Sequence, residues 1–199
     1  GAAVTHREAR DILADIHPDL GEMLRRFAGY QIRNAGTVGG NILGGLGNDQ
    51  FNIAGTLTGI GFGEDGDDTF VLGNGSTITA GVDGGAGMDA FQVDGMVNSG
   101  ADPSIIGGAD TDSITGPTSG ATFTLTGPSA GTLSTLDGGF VQIEAVNGST
   151  GDDIFLVNAA FGGDIDTDGG NDTVTVANGG VLNNIVTGDG KNIAPQPIE

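Results

Sequence analysis

Six aspartates, Asp49, Asp68, Asp89, Asp112, Asp153 and Asp172, recur at steps of 19, 21, 23, 41 and 19 residues. Each closes a glycine-rich turn, and two positions later stands a large apolar residue: Phe51, Phe70, Phe91, Ile114, Phe155 or Val174. A carboxylate next to the exposed carbonyls of a glycine turn is oxygen-donor chemistry. It suits a hard cation such as Ca²⁺, which takes roughly six to eight oxygens at about 2.3 to 2.6 Å. If such turns stack, one supplies part of the shell and its neighbour the remainder. All six aspartates are therefore candidate metal ligands, strongest in the first three turns. The competing reading is that aspartate bonds its own backbone and simply makes a tight turn.

A fixed step of about 20 residues is the signature of a solenoid. Phe51 with Ile53, Phe70 with Leu72, Phe91 with Val93, Phe155 with Val157, and Val174 with Val176 each send two apolar side chains to one face of a strand. A second, weaker strand follows at Thr56-Leu57-Thr58, Thr77-Ile78-Thr79, Thr122-Phe123-Thr124-Leu125 and Val181-Leu182. The step of 41 is about two coils, so one coil lacks its aspartate, and the gap falls near Gly131. The expected fold is mainly β: a parallel β-solenoid, a β-roll or β-helix, of about eight coils over residues 43–193. Pro195 and Pro197 break the pattern, leaving residues 194–199 as a tail.

The first 42 residues carry a different period. Thr5 with Glu8 forms a capping box ahead of Ala9, Ile12, Leu13 and Ile16. Pro18 ends that helix, and Asp19 with Glu22 opens a second, whose apolar face is Leu20, Met23, Leu24 and Phe27 and whose stop is Gly29. A two-helix cap on the first coil is expected over residues 1–42.

Charge divides the chain along the same line. Arg7, Arg10, Arg25, Arg26 and Arg33 balance five acids in the first 42 residues, so the whole net charge of −20 lies in the remainder. Such a surface repels nucleic acid and anionic lipid, so neither is an expected partner. No apolar run is long enough to insert in a membrane as a helix. The sequence has no cysteine, hence no disulfide and no thiolate metal site. Beyond residue 42 there is no His, Tyr or Trp to serve as a base or a sugar platform, so no enzymatic activity is expected. Any export signal would lie outside this chain.

Two resemblances attach to these segments. Gly44-Gly45-Leu46-Gly47-Asn48-Asp49 and Gly84-Gly85-Ala86-Gly87-Met88-Asp89 resemble the calcium-binding nonapeptide of repeats-in-toxin proteins. Residues 43–190 are also similar to repeat regions of bacterial surface adhesins and autotransporter-like proteins. Gln31-Ile32-Arg33-Asn34-Ala35-Gly36-Thr37-Val38-Gly39-Gly40-Asn41-Ile42 resembles the flavin-contacting segment of the FAD-binding subunit of xanthine dehydrogenase-type molybdenum hydroxylases. That likeness implies Thr37, Gly39, Gly40 and Asn41 near a flavin, and it stops at Ile42. The leading expectation is a non-enzymatic, calcium-stabilised solenoid segment of an extracellular or cell-surface bacterial adhesin, matrix or filament protein. Its partners would be calcium and further copies of itself, end to end or side by side, with FAD not expected. The alternative is an FAD-binding fragment of a molybdenum hydroxylase fused to a repeat region, with an engineered or fragmentary fusion as a third possibility.

Overall fold

The structure, a computed structural model, describes residues 32–34, 37–186 and 188. It is a β-solenoid built on three sheets of eight, four and nine strands. In its first half the chain visits all three sheets in every coil. Gln50–Ile53, Thr56–Leu57 and Gly61–Asp65 make one coil, and Thr69–Leu72, Thr77–Ile78 and Val82–Ala86 make the next. Equivalent strands pair in parallel and in register, so Phe51 lies beside Phe70, Phe70 beside Phe91, Phe91 beside Ile114 and Ile114 beside Val146. The eight-stranded sheet thus stacks its strands in seven coil-to-coil steps, in line with the expected solenoid.

Period-two alternation explains why these segments are strands. In Gln50–Ile53 and Thr69–Leu72 every second side chain is buried and the others are half-buried. The inward residues stack on themselves from coil to coil: Phe51 and Phe70 have ring centroids 4.4 Å apart at 3°, and Phe70 and Phe91 5.1 Å apart at 12°. A second column, Phe123 on Phe155 at 4.9 Å, rises from the nine-stranded sheet.

The second half is built differently. Ala145–Ser149, Ile154–Val157, Ala160–Asp168, Thr173–Val176 and Val181–Val186 alternate between the eight- and nine-stranded sheets alone. Between the halves, Thr122–Gly127 and Ala130–Leu133 form an antiparallel hairpin, and Ala130–Leu133 pairs antiparallel with Gly139–Val141 as well. The gap near Gly131 is therefore not a coil with a substituted turn. Gly131 is a buried hairpin residue set against the Phe140 ring, where a Cβ would sit only 2.7 Å from the ring edge.

The expected helices of residues 1–29 and the tail of 194–199 lie outside the described residues. Among the described residues there is no helix. The end of the expected cap runs instead as strands Ile32–Asn34 and Thr37–Val38, which pair with the coil that follows.

Phe70 is fully buried with a ring on either side. Phe70→Ala is expected to cost about 3–5 kcal/mol, read as a lowered urea midpoint, and Phe70→Leu markedly less.

Candidate functional site

The structure places the six aspartates on two separate rows. Asp49, Asp68, Asp89 and Asp112 stand where the nine-stranded sheet turns into the eight-stranded one, whereas Asp153 and Asp172 stand where the chain crosses in the opposite direction. In the first row three of the four carboxylates reach back one coil. Asp68 Oδ1 accepts the Asp49 N–H at 2.7 Å, Asp89 Oδ1 that of Asp68 at 2.7 Å, and Asp112 Oδ1 that of Asp89 at 2.8 Å. Glu144 takes the next place, its Oε2 accepting from Asp112 N–H at 3.1 Å. In the second row Asp153 Oδ1 accepts from Ala121 N–H at 2.7 Å, and Asp172 Oδ1 from Asp153 N–H at 2.9 Å. A fixed spacing cannot distinguish these corners. Glu144 and Ala121, which end one row and begin the other, carry no periodic signal.

In the first row the carboxylates need a glycine five residues before them. A Cβ on Gly63 would sit 2.1 Å from Asp68 Oδ2, one on Gly84 2.2 Å from Asp89 Oδ2, and one on Gly107 2.6 Å from Asp112 Oδ2. These glycines lie on the inner face of strands, and the aspartate side chain fills the space that a larger residue would take. Departures from the glycine pattern keep its backbone shape: Glu64 and Asp110 are held at φ 76° and 79°, a region that residues other than glycine seldom enter.

Burial dominates the electrostatics of the row. It raises Asp49 above its ordinary value, pushes Asp68 and Asp112 up to about 6, and pushes Asp89 up to about 7. The accepted backbone N–H bonds lower Asp68, Asp89 and Asp112, and the neighbouring acids raise them. Asp153 is raised by burial too, against two accepted N–H bonds from Ala121 and Ser149. Among the described residues no three His, Cys, Asp or Glu side chains converge as a metal-holding group. In Asp68, Asp89 and Asp112 the oxygens expected to face a cation are instead turned inward, one onto a backbone N–H and the other under a glycine.

The second set of candidates lies in one turn of the first described coil. Thr37–Val38 pairs with Thr56–Leu57 in the four-stranded sheet, and Ile42–Leu46 with Gly61–Asp65 in the nine-stranded sheet. Gly39, Gly40 and Asn41 join the two strands and are exposed. Gly40 has φ 127°, and a Cβ built on it would meet nothing within 4 Å. On Gly39 the nearest atom to a Cβ would be Thr58 Oγ1, at 3.9 Å. The turn is therefore bare peptide open to solvent.

Its support comes from the next coil. Asn41 Oδ1 accepts the Ile60 N–H at 3.0 Å, and Ile42 N–H donates to Ile60 O at 2.9 Å. Gly59 lies directly beneath, where a Cβ would sit 2.2 Å from the Gly40 carbonyl carbon. Gly59 and Ile60 are the residues beneath this candidate site that sequence reasoning missed. Their only signal is their position, 19 residues after Gly40 and Asn41.

This turn leaves backbone and amide groups accessible from outside. Among the described residues, no side chain covers the Gly39 and Gly40 backbone. The Asn41 amide is oriented by Ile60, which leaves its Nδ2 hydrogens as donors.

In comparison with known proteins, the family described as FAD binding domain in molybdopterin dehydrogenase matches the chain over residues 1–179. No curated protein and no solved structure matches it. The match overturns the leading expectation of a calcium-stabilised adhesin, and with it calcium as cofactor. FAD, which was not expected, is the group to which the family points. The physical reason for the error is that a calcium turn and a buried-carboxylate turn require the same Gly and Asp residues, and only the direction of the side chain separates them.

Gly59→Ala is expected to push the Gly40 peptide outward and lower stability by about 1–3 kcal/mol. Gly39→Ala should leave the thermal melt unchanged. Circular dichroism melts of the two variants check this contrast.

Proposed function

Because the chain belongs to the family of FAD-binding domains of molybdopterin dehydrogenases, we propose that it holds FAD against the turn of residues 37–41. The single observation that carries this reading is that the flavin-segment motif forms an exposed turn of bare peptide with a coil beneath it. Bound there, FAD supplies a carrier that accepts and passes on electrons.

The residues of the chain have distinct parts in this reading. Thr37, through its strand pairing with Thr56, anchors one end of the turn, and Ile42, buried in the core, anchors the other. Gly39 and Gly40 give close approach to the peptide backbone. Asn41 presents its amide to a polar edge of the ring. FAD also carries an anionic pyrophosphate, and residues 43–190 contain no Lys, Arg or His to receive it. Charge therefore assigns the phosphates to the arginines of the first 33 residues rather than to the acidic repeats.

On this reading the chain is a flavin-holding module with no turnover of its own, and substrate oxidation belongs to a partner that carries the molybdenum cofactor. The solenoid provides a rigid floor for one wall of the flavin site.

FAD added to the purified chain is expected to lose fluorescence on binding and to acquire circular dichroism in the visible range. Gly39→Val places a side chain on the open peptide without disturbing the fold. It should weaken FAD at least tenfold, about 1.4 kcal/mol, with an unchanged melting temperature. A chain that neither retains nor takes up flavin would sink the proposal.

A further inference from the structure

Three successive rungs of the first aspartate row, Asp68, Asp89 and Asp112, are at most 1% exposed. The Oδ1 atom of each accepts one backbone N–H, and the Oδ2 atom of each is buried with no hydrogen-bond partner. A buried carboxylate with an oxygen left unbonded is costly to keep ionised, whereas the neutral acid retains the Oδ1 acceptor and loses the charge.

The groups that face these rungs supply no relief. Asp68 feels Asp49 and Asp67; Asp89 feels Asp112, Asp68 and Asp67; Asp112 feels Glu144 and Asp110. All of them are acids. The sequence places no Lys, Arg or His between residues 43 and 190. Space is equally closed, since Gly63, Gly84 and Gly107 press on the Oδ2 atoms.

We propose that Asp68, Asp89 and Asp112 form a proton-operated lock on the first half of the solenoid: protonated, they clamp consecutive coils together, and ionised, they loosen them. None of these residues belongs to the turn of residues 37–41.

The direction of its pH dependence follows from the shifts already given. The folded values, about 6 for Asp68 and Asp112 and about 7 for Asp89, lie above the ordinary 3.8. The stability that the rungs contribute is thus complete below 3.8 and is lost as pH rises through 6 to 7. A chain with a net charge of −20 also repels itself more at high pH, so the test must separate the buried rungs from the surface.

Urea unfolding of the full chain at pH 5 and pH 8.5 in 0.5 M NaCl, which screens surface acids, is expected to give the higher midpoint at pH 5. Asp89→Asn keeps the Oδ1 acceptor and removes the titration. It should raise the midpoint at pH 8.5 and narrow the gap between the two pH values. Asp65→Asn, at an exposed acid, should leave the gap as it is. An Asp89→Asn chain that keeps the full gap, or whose midpoint at pH 8.5 falls below that of the wild type, overturns the proposal. Carboxyl ¹³C titration of the folded wild-type chain gives a readout independent of any variant. Three resonances titrating between pH 6 and 7 support the lock, and titration of every aspartate below pH 4.5 refutes it.

Discussion

The bond from an aspartate carboxylate to the backbone N–H one coil behind it is the constraint around which this solenoid is arranged. Parallel strands hold coils together along their flat faces, but at a corner the backbone leaves the ladder and its N–H groups lose their partners. Asp68, Asp89 and Asp112 restore those partners at one corner, and Asp153 and Asp172 at another. In the first row the inward aspartate then dictates the glycine five residues earlier, because both cannot carry bulk into the same space. Gly44, Gly63, Gly84 and Gly107 are held to glycine by that pairing. An outer row repeats the device in weaker, exposed form, with Asn48 Oδ1 accepting from Asp67 N–H and Asp67 Oδ1 from Met88 N–H.

The turn of residues 37–41 depends on the same stacking. Gly39 and Gly40 can be bare and open because Gly59 and Ile60, one coil on, hold the peptide from beneath. A loop at the tip of a globular domain would need its own side chains to fix its path. Here the neighbouring coil fixes it, which leaves the outer surface free to meet a ligand.

Sequence reasoning captured what periodicity encodes. The in-register columns led by Phe51, Phe70 and Phe91, the parallel pairing and the solenoid class were all legible, because each repeats a physical requirement at a fixed step. The turn at Gly39, Gly40 and Asn41 is marked in the sequence by its paired glycines, but the coil that supports it is not. Three features were hidden. The strands Gly61–Asp65 and Val82–Ala86 read as turns, since their glycines have weak strand preference and are kept for the carboxylates they face. The division of the aspartates between two corners was invisible, because spacing along the chain does not record which sheet precedes the turn. The inward aim of the carboxylates was also hidden, and it is what separates a hydrogen-bonded corner from a cation site.

The antiparallel hairpin of Thr122–Gly127 and Ala130–Leu133 bears on a hazard that near-identical coils create. A repetitive sequence can close with each strand one coil out of place at little cost, because Phe70 offered to the wrong neighbour still finds a phenylalanine. The hairpin pairs in parallel with Ile154–Val157 on one side and antiparallel with Gly139–Val141 on the other, an arrangement with no counterpart elsewhere among the described residues. It acts as an index mark: once it is seated, the coils on either side can be counted from it, and a slipped stack is left with a gap where the mark should fall.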